Sequence, residues 1–365
     1  MLDTTEFVPD PPIRCRDFRI GAIGAGFIMA DVHLASYKQA GFPVAAIASR
    51  TQANAKTVAD RWGIPKVHAS PKALIEDPDI EIVDIAFPPD LQPELIRHAL
   101  QQKHVKAILA QKPLALDFAT AKALAAEAKG AGKVLSVNQN MRFDQSMRVL
   151  KQILERELLG TPILATIEMR AIPHWQPFLA DYDRLTLLNM SIHHLDVLRF
   201  LLGDPTEVMT MVRQDPRTTF AHRDGICVST LKFPSGVMAV SMEDVWSGPR
   251  EENFQSDIYI KWRLEGTDGL ADGTIGWPDY PTGSPSTLRY SCRASGGKWV
   301  SPRWSTMWFP DAFKGVMEQL QYALKTGTEP LLNASDNVKT MALVEAGYRS
   351  METGRAIKLS EISIN

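Results

Sequence analysis

Apolar runs of four or five residues recur along the first 140 positions, separated by longer amphipathic stretches. Ile20–Ile23, Val44–Ala48, Ile82–Ala86, Ala107–Ala110 and Val134–Val137 read as buried strands. Between them Phe27–Gln39, Thr51–Trp62, Ser70–Glu76, Pro93–Gln102 and Phe118–Ala131 read as helices. Phe118, Ala121, Leu124, Ala125 and Ala128 show the helical period. Continuous apolar strands alternating with amphipathic helices predict a parallel sheet covered on both faces, with ligands at the carboxyl ends of its strands.

From about Gly160 the pattern changes to that of antiparallel strands. Pro162–Ala171, Glu207–Gln214, Gly225–Phe233, Val237–Val245, Asp257–Glu265 and Gly269–Asp272 are the predicted strands, and Pro234-Ser235-Gly236 is a hairpin turn. Helices are predicted at Leu187–Gly203, Asp311–Lys325 and Ser335–Thr353, with Leu320, Leu324, Met341, Val344 and Tyr348 in the core. The expected class is α/β. Residues 1–17 form a loose N-terminal arm, 18–140 a doubly wound Rossmann domain, and 141–365 an α+β domain with a large, open, mostly antiparallel sheet.

Charge and composition narrow the function. The 365 residues carry 40 basic and 42 acidic side chains, so no basic field exists to attract nucleic acid. No apolar run approaches the ~20 residues of a membrane helix. The N-terminus lacks the basic and apolar regions of a signal peptide. Cys15, Cys227 and Cys292 are scattered and form no CxxC pair, which argues against a disulfide framework or a zinc site and for a reducing, cytoplasmic setting. Adjacent His193 and His194 diverge on a helix and no HExxH spacing occurs, so no metal is expected.

The candidate chemistry begins at Gly24-Ala25-Gly26, a glycine turn between a strand and a helix that opens with Phe27 and Ile28. That arrangement turns free backbone N–H groups towards a pyrophosphate. The third glycine of the dinucleotide fingerprint is replaced by Met29, which asks the helix to sit slightly further from the strand. Strand two ends in Ala48-Ser49-Arg50-Thr51 without a carboxylate for a ribose 2′-hydroxyl. Ser49 can donate a hydrogen bond and Arg50 can pair with a phosphate, which favours NADP over NAD. If Arg50 is only a solvated residue, NAD is bound without it.

Lys112 follows the strand Ala107–Ala110, where a nicotinamide would lie, and Pro113 restricts it to extended conformations. Partly shielded and beside a cationic ring, it would have a lowered pKa and could move a hydroxyl proton. By spacing alone it is a catalytic lysine or an ordinary surface one. In LLNMSIHHLDVLRFLLG, Leu188, Ile192, Leu195, Leu198 and Leu202 form a buried stripe. Asn189, His193 and Asp196 share another face, able to line a polyol pocket or to hold a buried histidine. In Ile172–Asp183, Trp175 and Tyr182 can stack on a sugar ring, and His174 and Asp183 can read its hydroxyls, or the aromatics pack the loop down. Ser295–Phe309, with Trp299, Trp304 and Trp308, closes over a pocket or serves an oligomer interface.

With these motifs in order from Phe18 to Leu359, the chain resembles the glucose–fructose oxidoreductase and inositol dehydrogenase family, Gfo/Idh/MocA. Gly24–Ile28 resembles its nucleotide loop, Ile85–Pro89 its strand and loop under the nicotinamide ribose, and Gln111-Lys112-Pro113 its Glu-Lys-Pro stretch. Asn140-Met141-Arg142-Phe143 is similar to its crossing into the second domain, Ile192–Gly203 to its His-x-x-Asp helix, and Ala342–Leu359 to its closing helix and strand. The resemblance implies an NAD(P)-dependent oxidoreductase acting on a CH–OH group of a sugar, polyol or sugar derivative. Lys112 and His193 would handle the hydroxyl proton. Pro88, Pro89, Gln92, Gln111, Lys112 and Arg142 would meet the cofactor, and Lys112, Asn189, His193, Asp196 and Trp175 the substrate. The open sheet would pair subunits into a dimer or tetramer. Three residues depart from the family: Gln111 replaces a glutamate, Asn189 an aspartate, and Gln92 a histidine near the nicotinamide. Each exchanges an ionisable group for a neutral one; without a carboxylate at Asn189, His193 is less readily protonated and Lys112 becomes the stronger base, or Asp196 supplies the missing charge. Two other readings stay open: a glycosidase or lyase that retains its cofactor through transient oxidation, and a non-catalytic nucleotide-binding sensor.

Overall fold

The computed structural model describes residues 7–171, 177–244, 258–276 and 283–362. It divides into two units, one made of Pro11–Asn140 with Phe309–Met341, the other mainly of Met141–Trp308 with Ala342–Asn365. Phe309–Met341 therefore packs with the first unit rather than with the rest of the block 141–365.

The first unit holds β1 (Ile20–Ile23), α1 (Leu34–Ala40), β2 (Val44–Ala48), α2 (Gln52–Trp62), β3 (Lys66–Val67), α3 (Pro71–Ile75), β4 (Ile82–Ile85), α4 (Gln92–Gln101), β5 (Ala107–Ala110), α5 (Phe118–Gly130) and β6 (Val134–Val137). Its strands lie in the order β3-β2-β1-β4-β5-β6, all parallel, which is the doubly wound order of a Rossmann sheet. The four-residue strands β1, β4 and β5 are buried at every position, because helices cover both faces. Ser70 and Asp117 start α3 and α5 by accepting the backbone N–H groups of Ala73 and Thr120, as N-cap residues do. The helix expected over Phe27–Gln39 is not uniform. Ile28–His33 is wound as a π-helix, and regular α geometry begins at Leu34.

The second unit contains α6 (Gln145–Glu155), β7 (Pro162–Arg170), a π-helical turn Leu187–Ser191 leading into α7 (Ile192–Leu202), β8 (Glu207–Arg213), β9 (Ile226–Lys232), β10 (Met238–Asp244), β11 (Tyr259–Gly266), β12 (Gly269–Ile275) and β13 (Thr287–Cys292). After α8 (Ala312–Thr326) and α9 (Ala334–Thr353), β14 (Ile357–Lys358) completes an eight-stranded sheet ordered β13-β12-β11-β7-β10-β9-β8-β14. Only the β7–β10 pair is parallel. Burial alternates along the strands. Ile260, Trp262 and Leu264 of β11 are buried while Lys261 and Arg263 are exposed. This is the pattern of a sheet with one open face. Met209, Met211 and Met238 are exposed side chains of that sheet.

Three elements, β3, α6 and β13, have no counterpart in the sequence prediction. The arm is also not loose where it is described. Val8 is bonded to Gln152, and Asp10 accepts from Gln145 and Thr306. Arg14 makes a two-pronged contact with Glu318 (2.8 and 3.0 Å), and Cys15 is buried. Among the described residues no helix is long and apolar enough to cross a membrane.

Candidate active site

Parallel strands end at one edge, so the residues after β1, β2, β4 and β5 gather there: Gly24 and Gly26, Ser49 and Arg50, Pro88 and Pro89, Gln111 and Lys112. Gly24 has φ +125°, and a Cβ on it would stand 2.7 Å from the Ala86 carbonyl oxygen, so only glycine fits. A Cβ on Gly26 would meet nothing within 4 Å. The chain therefore leaves room above the turn where a helix begins, the fit a pyrophosphate requires. Met29, at the third fingerprint position, is fully buried. Ser49 is half-buried and Arg50 exposed.

Lys112 sits on a tightly held turn. Gln92, fully buried at the start of α4, donates its amide to the carbonyls of Gln111, Pro113 and Leu114 (3.0, 2.7 and 3.0 Å). Its amide oxygen accepts the Gln111 N–H at 3.0 Å. Both ends of the Gln92 amide are thus engaged by the backbone beside Lys112. Burial pushes the Lys112 ammonium down to about 8 from the usual 10.5.

The Gln111 side chain packs against His33. Its Nε2 lies 2.8 Å from His33 Nε2, and Asn138 Nδ2 lies 3.1 Å from the same nitrogen. The other ring nitrogen, Nδ1, is 2.7 Å from Asp84 Oδ2, which also accepts from the Tyr37 hydroxyl at 2.7 Å. A carboxylate at Nδ1 puts the proton there and leaves Nε2 to accept from the two amides. His33, Tyr37 and Asp84 are all buried, and burial with the Asp84 charge holds the Tyr37 phenol well above its ordinary range.

In the second unit, α7 and the π turn before it carry Asn189, His193 and Asp196. His193 is half-buried, with its ring edge-on to Trp308 at 6.0 Å. Asn189 is buried, and its amide lies 3.4 Å from the Arg184 carbonyl. Asp196 accepts from Arg142 Nε and Nη2 at 2.6 and 2.7 Å, with both residues buried. This bidentate ion pair ties α7 to the turn before α6. Asp224 accepts the N–H groups of Leu185 and Leu187 and the Tyr348 hydroxyl (2.8, 2.6 and 3.0 Å), which anchors the entry to this helix. Burial pushes its carboxyl up. His194 places its Nδ1 2.6 Å from a carboxylate oxygen of Glu243, and that carboxylate accepts from Ser191 and Ser241. His174 and Trp175 lie outside the described residues. Tyr182 packs edge-on to Phe178. Among the described residues no cluster of His, Cys, Asp or Glu could hold a metal.

His33, Asp84, Tyr37, Asn138 and Asp224 were not found by sequence reasoning. The available signal was Asp84 itself, a carboxylate inside the apolar run IVDIA.

A Rossmann sheet with an open glycine turn, joined in one chain to a large one-sided sheet, defines a dinucleotide-dependent oxidoreductase. The model of the oxidoreductase family with an NAD-binding Rossmann fold matches residues 18–139, and that of the GFO/IDH/MocA C-terminal domain matches residues 147–272. The chain belongs to the Gfo/Idh/MocA family. It is 28% identical to D-apiose dehydrogenase of Rhizobium rhizogenes, over 92% of this chain and 96% of that protein. It is 26% identical to myo-inositol 2-dehydrogenase of Thermotoga maritima, over 94% and 99%. An oxidoreductase from Agrobacterium radiobacter, solved in complex with NAD+, L-tartaric acid and magnesium, has the same fold, with a TM-score of 0.80 and 24% identity over 94% of this chain and 99% of that one.

Proposed function

We propose that this oxidoreductase oxidises a CH–OH group of a sugar, polyol or sugar derivative, or reduces the corresponding carbonyl, with Lys112 as the proton-transfer residue. The observation that carries the reading is Lys112 itself. It follows β5 at the ligand edge of the sheet, and burial has brought its ammonium to about 8. Near neutral pH such a lysine exchanges a proton readily in either direction. When bound, the nicotinamide supplies a hydride acceptor or donor at its C4. Lys112 takes the hydroxyl proton in oxidation and returns it in reduction. His193, on α7, shares that proton, and Asn189 hydrogen-bonds a neighbouring hydroxyl. Trp175 stacks on the sugar ring.

Gly24, Gly26, Phe27 and Ile28 hold the pyrophosphate, and Pro88 and Pro89 line the ribose. Ser49 and Arg50, without a carboxylate beside them, favour NADP over NAD. The substrate class agrees with relatives that act on apiose and myo-inositol. Self-association into a dimer or tetramer through the open sheet and a cytoplasmic setting belong to the same proposal.

A panel of sugars, polyols and their keto or lactone forms, tested with NAD and NADP at the nicotinamide absorbance, checks it. Reduced cofactor accumulating in step with an oxidised sugar or polyol is the expected result. Glycosides cleaved without net cofactor reduction would replace it with a cofactor-retaining eliminase.

A further inference from the structure

We propose that Gln111 is a positioning residue for Lys112, joining the lysine's backbone to the buried His33–Asp84 pair through an uncharged amide. The inference rests on the reading of Lys112 given above. Gln111 is the residue immediately before the lysine, and it is held from two sides. Its peptide N–H and C=O are both bonded to the Gln92 side chain. Its own amide reaches His33 Nε2 at 2.8 Å. His33 cannot turn, because Asp84 takes its Nδ1–H and Asn138 donates beside Gln111 to Nε2. Tyr37 supplies the second donor to the same Asp84 oxygen. The ionisable groups facing Gln111 are therefore His33, from the π turn, with Asp84 of β4 and Tyr37 of α1 behind it.

An amide satisfies the arrangement without added charge, its N–H donating to the Nε2 lone pair. A carboxylate at position 111 would set an oxygen acceptor against the lone pair of Nε2. Either the contact opens or the ring takes up a second proton, and in both cases a negative charge stands one residue from the ammonium. An apolar side chain of equal length would remove the anchor without adding charge.

The test compares the full-length wild type with Gln111→Glu and Gln111→Met. Lys112 is acylated with isotope-coded acetic anhydride across pH 6–10 and quantified by mass spectrometry, alongside kcat and KM for the best substrate of the panel. The wild-type lysine is expected to reach half-maximal reactivity near pH 8. Gln111→Glu is expected to move that midpoint up by about one unit. Gln111→Met is expected to lower kcat at least about tenfold through loss of alignment, with KM for the cofactor within about twofold. If both variants keep the wild-type midpoint and turn over within about twofold of wild type, the positioning role is wrong. Should Gln111→Met fail to fold, Gln111→Glu, equal in volume and also without the N–H donor to His33, decides alone through kcat, and turnover within about twofold of wild type overturns the role. If Lys112→Met retains full turnover, the reading of Lys112 as proton-transfer residue fails, while a displaced midpoint in the uncharged Gln111→Met still upholds the anchoring.

Discussion

Lys112 and His193 are seated by opposite means. Around Lys112 the side chains that touch the backbone are neutral amides, Gln92 and Gln111, with the charge of Asp84 held one residue further back behind His33. Around His193 the supporting helix is tied by carboxylates directly: Asp196 to the Arg142 guanidinium, and Asp224 to two backbone N–H groups. Burial lowers the pKa of the lysine, and neutral amides hold its backbone without adding a charge that would favour the ammonium. A helix that only has to present a ring can be fastened by the stronger, charge-assisted bonds.

The comparison breaks most visibly at the lysine. Lys112→Met should lower kcat by about 10²–10⁴-fold, the usual contribution of a positioned proton-transfer group, while nicotinamide fluorescence still reports cofactor binding. The same variant should melt above wild type at pH 7. The folded-state pKa of the lysine is depressed, so the unfolded chain binds the extra proton between about pH 8 and 10.5. The penalty of burying the ammonium is therefore complete below pH 8 and fades as pH rises through that window. A melting series from pH 7 to 10 should show the gap between the two proteins closing.

Next in size is the ion pair. Arg142→Met removes the bidentate partner of the buried Asp196 carboxylate, leaving Arg199 at 3.9 Å, and should cost about 3 kcal/mol by urea titration. Gln92→Leu strands one N–H and three carbonyls and should cost about 1–3 kcal/mol, with a fall in kcat that Arg142→Met does not reproduce per unit of lost stability. The smallest effect belongs to Asp144, which caps α6, is bonded by Ser286, and is pushed up to about 6 by burial. Asp144→Asn keeps a competent cap and removes a buried charge, so its urea midpoint at pH 7 should correspond to a change within about 1 kcal/mol of wild type.

The first sheet was legible because strands covered on both faces are written as unbroken apolar runs, and four of the five predicted have their expected limits to the residue. The second sheet was legible through its alternation. α6 carried a readable signal in Asp144 followed by Met147, Leu150 and Ile153, but it lies directly after a motif that draws attention to itself. The pairing of His33 with Asp84 was not legible, since 51 positions separate them and nothing local marks a hydrogen bond made by the fold. The backbone bonds of Gln92 were not legible for a related reason: the three carbonyls it meets lie 19 to 22 positions further along the chain.

The π turn at Ile28–His33 sets how much chain fits between the glycine turn and His33. A π turn accommodates one residue more than an α-helix would over the same rise. Removing one of its residues other than His33 would therefore let regular winding run through to Leu34 while the chain on either side keeps its place. The turn is thus a point at which the backbone absorbs a one-residue change in length, whereas the His33 side chain within it is fixed by Asp84, Gln111 and Asn138.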